Sequence, residues 1–95
     1  MSFTLVFKPL ATAEIEEAYS WYSQAEIGKG AEFLNELARI EYFIRLNPLL
    51  YPRVEAEIRR AGLRRFPYSL FYVVEGGTVS VLSCFHQSRD PATGD

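Results

Sequence analysis

The stretch that most constrains the fold is YSLFYVVEGGTVSVLSCFH, residues 68 to 86. From Tyr68 to Glu75 the chain alternates. Tyr68, Leu70, Tyr72 and Val74 fall on one face, and Ser69, Phe71 and Val73 on the other. A period of two residues is the mark of a strand. Gly76-Gly77 is a two-residue hairpin signal, and Thr78 to His86 is the returning strand. Both faces of this hairpin carry apolar side chains, so it belongs in the middle of a sheet, and other elements must be found to cover it.

The preceding residues supply those elements. Phe3, Leu5 and Phe7 alternate with Thr4 and Val6, a short first strand. Lys8-Pro9 ends it, because proline has no N–H for a ladder. A helix is predicted from Leu10 or Thr12 to Ala25. Glu14, Glu16 and Glu17 sit in its first turns, where the macrodipole favours them. Ile15, Ala18, Tyr19, Tyr22 and Ala25 have the spacing of a buried face, with Trp21 beside it. Gly28-Lys29-Gly30 is a link. A second helix is predicted from Gly30 to Leu46, with Phe33, Leu37, Ile40 and Ile44 as its apolar stripe. Asn47-Pro48 stops it, since the residue before proline is pushed out of the helical region. Glu57 to Arg65 reads as a further strand with Gly62 at a bulge, followed by a bend at Pro67. The predicted order is β-α-α-β-β-β: one α+β domain over residues 1–95, a helical hairpin packed on an antiparallel sheet. The first strand is expected beside one of the later ones. From about residue 87 the tail is polar and expected to fray.

Charge narrows the function classes. The net charge is −2, so the chain as a whole does not attract nucleic acid. Residues 1–50 carry net −3 and residues 51–95 net +1. The basic residues concentrate in a stripe of Arg53, Arg59, Arg60, Arg64 and Arg65. The lone cysteine, Cys84, has no internal disulfide partner, which fits a reducing, cytoplasmic setting. Neither a secretory leader nor a membrane span is expected. One histidine and one cysteine do not make a metal site, and no cofactor is expected.

Several pieces taken together resemble a known group. These are Phe7 to Pro9, the acidic helix carrying Trp21-Tyr22, the N-P-x-x-Y-P of Asn47 to Pro52, Ile58 to Tyr72, and Val81 to Pro91. In this order the chain resembles the RelE/ParE superfamily of bacterial toxins over nearly its whole length. The resemblance implies the same β-α-α-β-β-β fold. It also implies the toxin half of a type II toxin–antitoxin pair, neutralised by an antitoxin whose C-terminal segment wraps over the helical hairpin and the sheet. One branch cleaves mRNA on the ribosome; the other inhibits DNA gyrase.

Residue chemistry separates the branches. Metal-free RNA cleavage needs a base for the 2′-hydroxyl, cations for the phosphorane and an acid for the leaving oxygen. The resemblance implies that a cleaving member carries arginine in the strand motif Tyr-Arg-Leu-x-Tyr. This chain reads Tyr68-Ser69-Leu70-Phe71-Tyr72, and serine supplies no guanidinium. If the chain were a ribonuclease, its catalytic group would be His86 with Arg65 and Arg89; Arg64 is a further phosphate contact and Glu55 or Glu57 a base. We favour the structural reading of His86, as a hydrogen-bonded group at a strand end. Arg59, Arg60, Arg64 and Arg65 read either as a docking surface for an acidic partner or as charges that protect a sheet edge. Tyr19 and Phe33 are expected in the core, Trp21 and Tyr42 in contact with antitoxin or target, and Cys84 inert within the last strand. The resulting expectation is a gyrase-inhibiting toxin held by a cognate antitoxin. The alternatives are a ribosome-dependent mRNA endonuclease and a non-toxic antitoxin-binding remnant.

Overall fold

The computed structural model of the chain describes residues 3–87. Arg89, Asp90 and the expected tail lie outside them, apart from Gln87. The elements are β1 (Thr4–Phe7), α1 (Pro9–Ala25), α2 (Lys29–Leu46), β2 (Arg53–Glu55), β3 (Ile58–Gly62), β4 (Tyr68–Glu75) and β5 (Thr78–His86). The strands form one sheet in the order β1-β5-β4-β3-β2. β4 and β5 are interior, as their two apolar faces require. Their hairpin closes through Gly76, whose φ of +62° suits glycine. β1 pairs with β5 in parallel, whereas all the other pairings are antiparallel. The expected antiparallel sheet therefore carries one parallel edge, because the chain crosses over through both helices before the hairpin forms.

Three local differences from the sequence reading have physical causes. α1 starts at Pro9, which occupies the first turn, where its missing N–H costs nothing. The glutamates consequently fall beyond the first turn. The buried line of α1 then becomes Ala11, Ile15, Ala18 and Tyr22, with Ala11 and Ala18 fully inside. Tyr19, expected in the core, is 41% exposed. Its ring lies where α1 crosses α2 at Gly30, and any Cβ on Gly30 would run into Ser23 Oγ and the Tyr19 ring. β3 ends at Gly62 rather than at Arg65, because Leu63 and Phe66 turn back into the core and Leu63 N donates to Tyr68 O at 2.9 Å. Finally, β2 is a three-residue edge strand, fully exposed, that has no apolar pattern to reveal it.

The core lies between the helices and one face of the sheet. Phe33, Leu37, Ile40 and Ile44 of α2 meet Ala61, Leu70, Tyr72, Val79, Val81 and Cys84. Tyr22, Phe33, Phe66 and Tyr68 form an aromatic cluster with ring centroids 4.9 to 6.1 Å apart, mostly edge to face. Ser69, Phe71, Ser83 and Phe85 occupy the opposite sheet face by strand alternation. No helix among the described residues is long and apolar enough to cross a membrane.

Candidate functional site

The arginine stripe does not form one surface. Arg59 and Arg60 are adjacent in β3 and so point to opposite faces. Arg59 Nη1 donates to Leu49 O at 3.2 Å and Tyr51 O at 2.6 Å. It is a clamp on the loop after α2. Arg60 lies on the far face, where its Nε donates to Ser69 Oγ at 3.1 Å. Arg65 pairs with Glu32 of α2 at 3.3 Å, an exposed bridge of small energetic value. Arg64 exposes its side chain, and its backbone N–H donates to Glu36 Oε1 at 3.0 Å. Burial works against the Glu36 carboxylate, but bonds from Arg64 N–H and Arg39 outweigh it and hold the group below the usual carboxylate range.

His86 lies in a different setting. It follows Cys84 by two residues, so it faces the helices, not the far face that holds Arg60 and Ser69. Its ring meets Tyr68 edge-on at 5.1 Å. The pocket around it is lined by Glu14, Glu17, Tyr68, Cys84 and Phe85. Two carboxylates at this position repel a phosphate rather than grip one. Among the described residues, no arginine lines the pocket with the histidine. Of the suggested catalytic group, Arg65 pairs with Glu32 of α2 on the surface, and Arg89 lies outside the described residues.

Other polar groups with clear structural roles were missed by sequence reasoning. Glu14 Oε1 accepts a bond from Cys84 N–H at 2.9 Å, joining α1 to β5. Its spacing from Ala11 and Ala18, three and four residues, was the available signal. Tyr72 O–H donates to Pro48 O at 2.6 Å inside the core. Burial pushes this phenol up to about 12, while Arg59 opposes the shift. Burial, then Glu14, pushes the Cys84 thiol up to about 12, which keeps it protonated and inert at neutral pH. Trp21 and Tyr42, the suggested contacts, are 63% and 58% exposed.

With the two helices, the sheet order and the Tyr68–Tyr72 strand in place, comparison with known proteins becomes informative. A family model described as the ParE toxin of the type II toxin–antitoxin system parDE matches residues 5–91. The chain belongs to the ParE toxin family. Two solved structures share the fold. One is described as the chromosomal ParDE toxin–antitoxin system from P. aeruginosa: TM-score 0.75, 19% identity, covering 90% of this chain and 96% of that one. The other is described as the toxin–antitoxin complex RelBE2 from Mycobacterium tuberculosis: TM-score 0.65, 17% identity, covering 90% and 99%. A comparison with curated proteins finds no sequence relative. The ParE-type assignment agrees with the serine at position 69, because this is the strand position at which the cleaving branch is expected to carry arginine.

Proposed function

We propose that this ParE-family toxin arrests growth by binding and poisoning DNA gyrase, and that a cognate antitoxin neutralises it. The observation that carries the non-catalytic reading is the separation of the chemistry across the sheet. His86 sits on the helix side among Glu14 and Glu17, while Ser69 and Arg60 share the other face. General acid catalysis and phosphate stabilisation must converge on one scissile bond, within hydrogen-bond reach. The described residues offer no such convergence. A binding toxin needs none. Exposed Trp21 and Tyr42 suit contact with a wrapping antitoxin segment, and exposed Arg64 and Arg65 suit an acidic surface.

The non-catalytic half is tested by incubating the purified chain with mRNA on translating ribosomes, with growth arrest and its relief by antitoxin followed in parallel. The expected result is intact mRNA together with arrest that the antitoxin relieves. Discrete mRNA cuts by the folded chain would overturn the binding mechanism. Arg60 would then be the first replacement to examine for the absent strand arginine, because its guanidinium reaches Ser69.

A further inference from the structure

The loop between β3 and β4 leaves the sheet after Gly62 and returns at Tyr68. Burial fixes its two ends. Leu63 and Phe66 enter the core, and Leu63 N–H donates to Tyr68 O at 2.9 Å. Between these anchors Arg64 and Arg65 are exposed. A stretch of this kind has no ladder to pair its backbone N–H groups. One side chain of α2 supplies the acceptor. Glu36 Oε1 accepts from Arg64 N–H at 3.0 Å, and the same carboxylate also accepts from Arg65 N–H. Arg39, three residues along α2, donates to its other oxygen at 3.4 Å.

Glu36 faces the loop rather than solvent: its side chain is only 13% exposed. Burial works against the ionised form, yet the bonds from Arg64, Arg39 and Arg65 hold it below the usual carboxylate range, so it accepts as an anion at neutral pH. The charges around the loop are mixed. Arg65 pairs with Glu32 at 3.3 Å, and Lys29 lies over the Phe66 ring at 5.7 Å. Among the described residues, the Arg64 guanidinium makes no ion pair. Net charge therefore does not set this surface apart. Its distinction is a guanidinium without an ion pair, carried on a backbone that α2 holds in place. A loop fixed before binding loses less freedom when it meets a partner.

We infer that Glu36 is the positioning residue of the toxin's docking loop: through the Arg64 and Arg65 N–H groups it fixes the Arg64 guanidinium for contact with an acidic group on the protein target. This rests on the toxin reading above, in which Arg64 and Arg65 meet an acidic surface, but not on the target being gyrase.

The test is a double-mutant cycle in the full chain: wild type, Glu36→Ala, Arg64→Ala/Arg65→Ala, and all three substitutions together. The readouts are the amount of toxin needed for growth arrest on expression alone, the thermal midpoint, and hydrogen exchange of individual amides. Glu36→Ala should raise the arrest dose about fivefold, and the rise should vanish once both arginines are alanine. The Arg64 and Arg65 amides should exchange about tenfold faster, while those of buried Leu70 and Val79 keep their protection. If alanine unfolds the chain, Glu36→Gln takes its place. It keeps an oxygen for Arg64 N–H, so the rise should be smaller and should vanish in the same way. A dose rise of equal size with and without the arginines would overturn the inference, because Glu36 would then act through the fold alone. Arrest at the wild-type dose by Glu36→Ala would overturn it too, as would faster exchange spread through the core. Unchanged arrest by the folded double-arginine variant would show that these arginines are not a contact, and the inference would fall with them. A wild-type chain that never arrests growth would show failure of the toxin reading itself, before any substitution is considered, and would take the inference with it.

Discussion

At the scale of single residues, the arginines show how little a side chain's type says about its task. Arg59 and Arg64 look equivalent in sequence, yet one clamps a loop from within and the other is exposed. Arg59→Ala should cost about 1.5–3 kcal/mol, since charge-assisted bonds to two carbonyls are lost. Denaturant unfolding would measure it. Arg64→Ala/Arg65→Ala should leave stability within about 0.5 kcal/mol, as expected for exposed positions. Alanine at Arg59, Arg60, Arg64 and Arg65 together would therefore confound loss of contact with loss of the loop. Tyr72→Phe should cost about 1–3 kcal/mol, because the Pro48 carbonyl loses its buried donor. His86→Gln should leave growth arrest intact, read by colony survival after induction.

The same burial sets an alkaline limit. Tyr72 and Cys84 both release their protons only near pH 12 in the folded chain, whereas the unfolded chain releases them from about 10 and about 9. A group with a raised folded pKa contributes its stability below the unfolded value and loses it as pH rises toward the folded one. Thermal midpoints should hold to about pH 9 and fall between 9 and 12, and Cys84→Ala should remove the earlier part of that fall.

At the scale of elements, legibility followed local pattern. β4 matches its alternation from Tyr68 to Glu75, and the stripe of Phe33, Leu37, Ile40 and Ile44 is buried throughout. Elements defined by distant partners were not legible. β2 exists only because β3 lies beside it. Ala56 in the intervening turn adopts a φ of +50°, which alanine does not announce. The irregularity at Phe71/Tyr72 in the β4–β5 register, which leaves Leu82 unpaired, is equally hidden, since no glycine or proline marks it. The candidate site was harder still. The serine at position 69 was visible as a departure from a motif, but the opposite facing of His86 and Arg60 emerges only from the register. Gly30 marks the helix crossing. Gly30→Ala should cost about 1 kcal/mol by displacing the Ser23 hydroxyl and the Tyr19 ring at the crossing, and urea unfolding would detect it.

At the scale of the whole molecule, the sheet separates two regions. Its helix side holds the core and the acid-lined pocket at His86; its far side holds Arg60, Ser69 and Phe71. Exposed aromatic residues on the helices and exposed leucines after α2 leave apolar surface available to partners. This arrangement suits a protein that acts by occupying another protein. The most direct measurement is DNA supercoiling by purified gyrase, titrated with this chain alone and then with antitoxin. The account predicts inhibition with linear DNA as a cleavage product, reversed by antitoxin and unchanged for His86→Gln. Undiminished supercoiling at saturating folded toxin would contradict it.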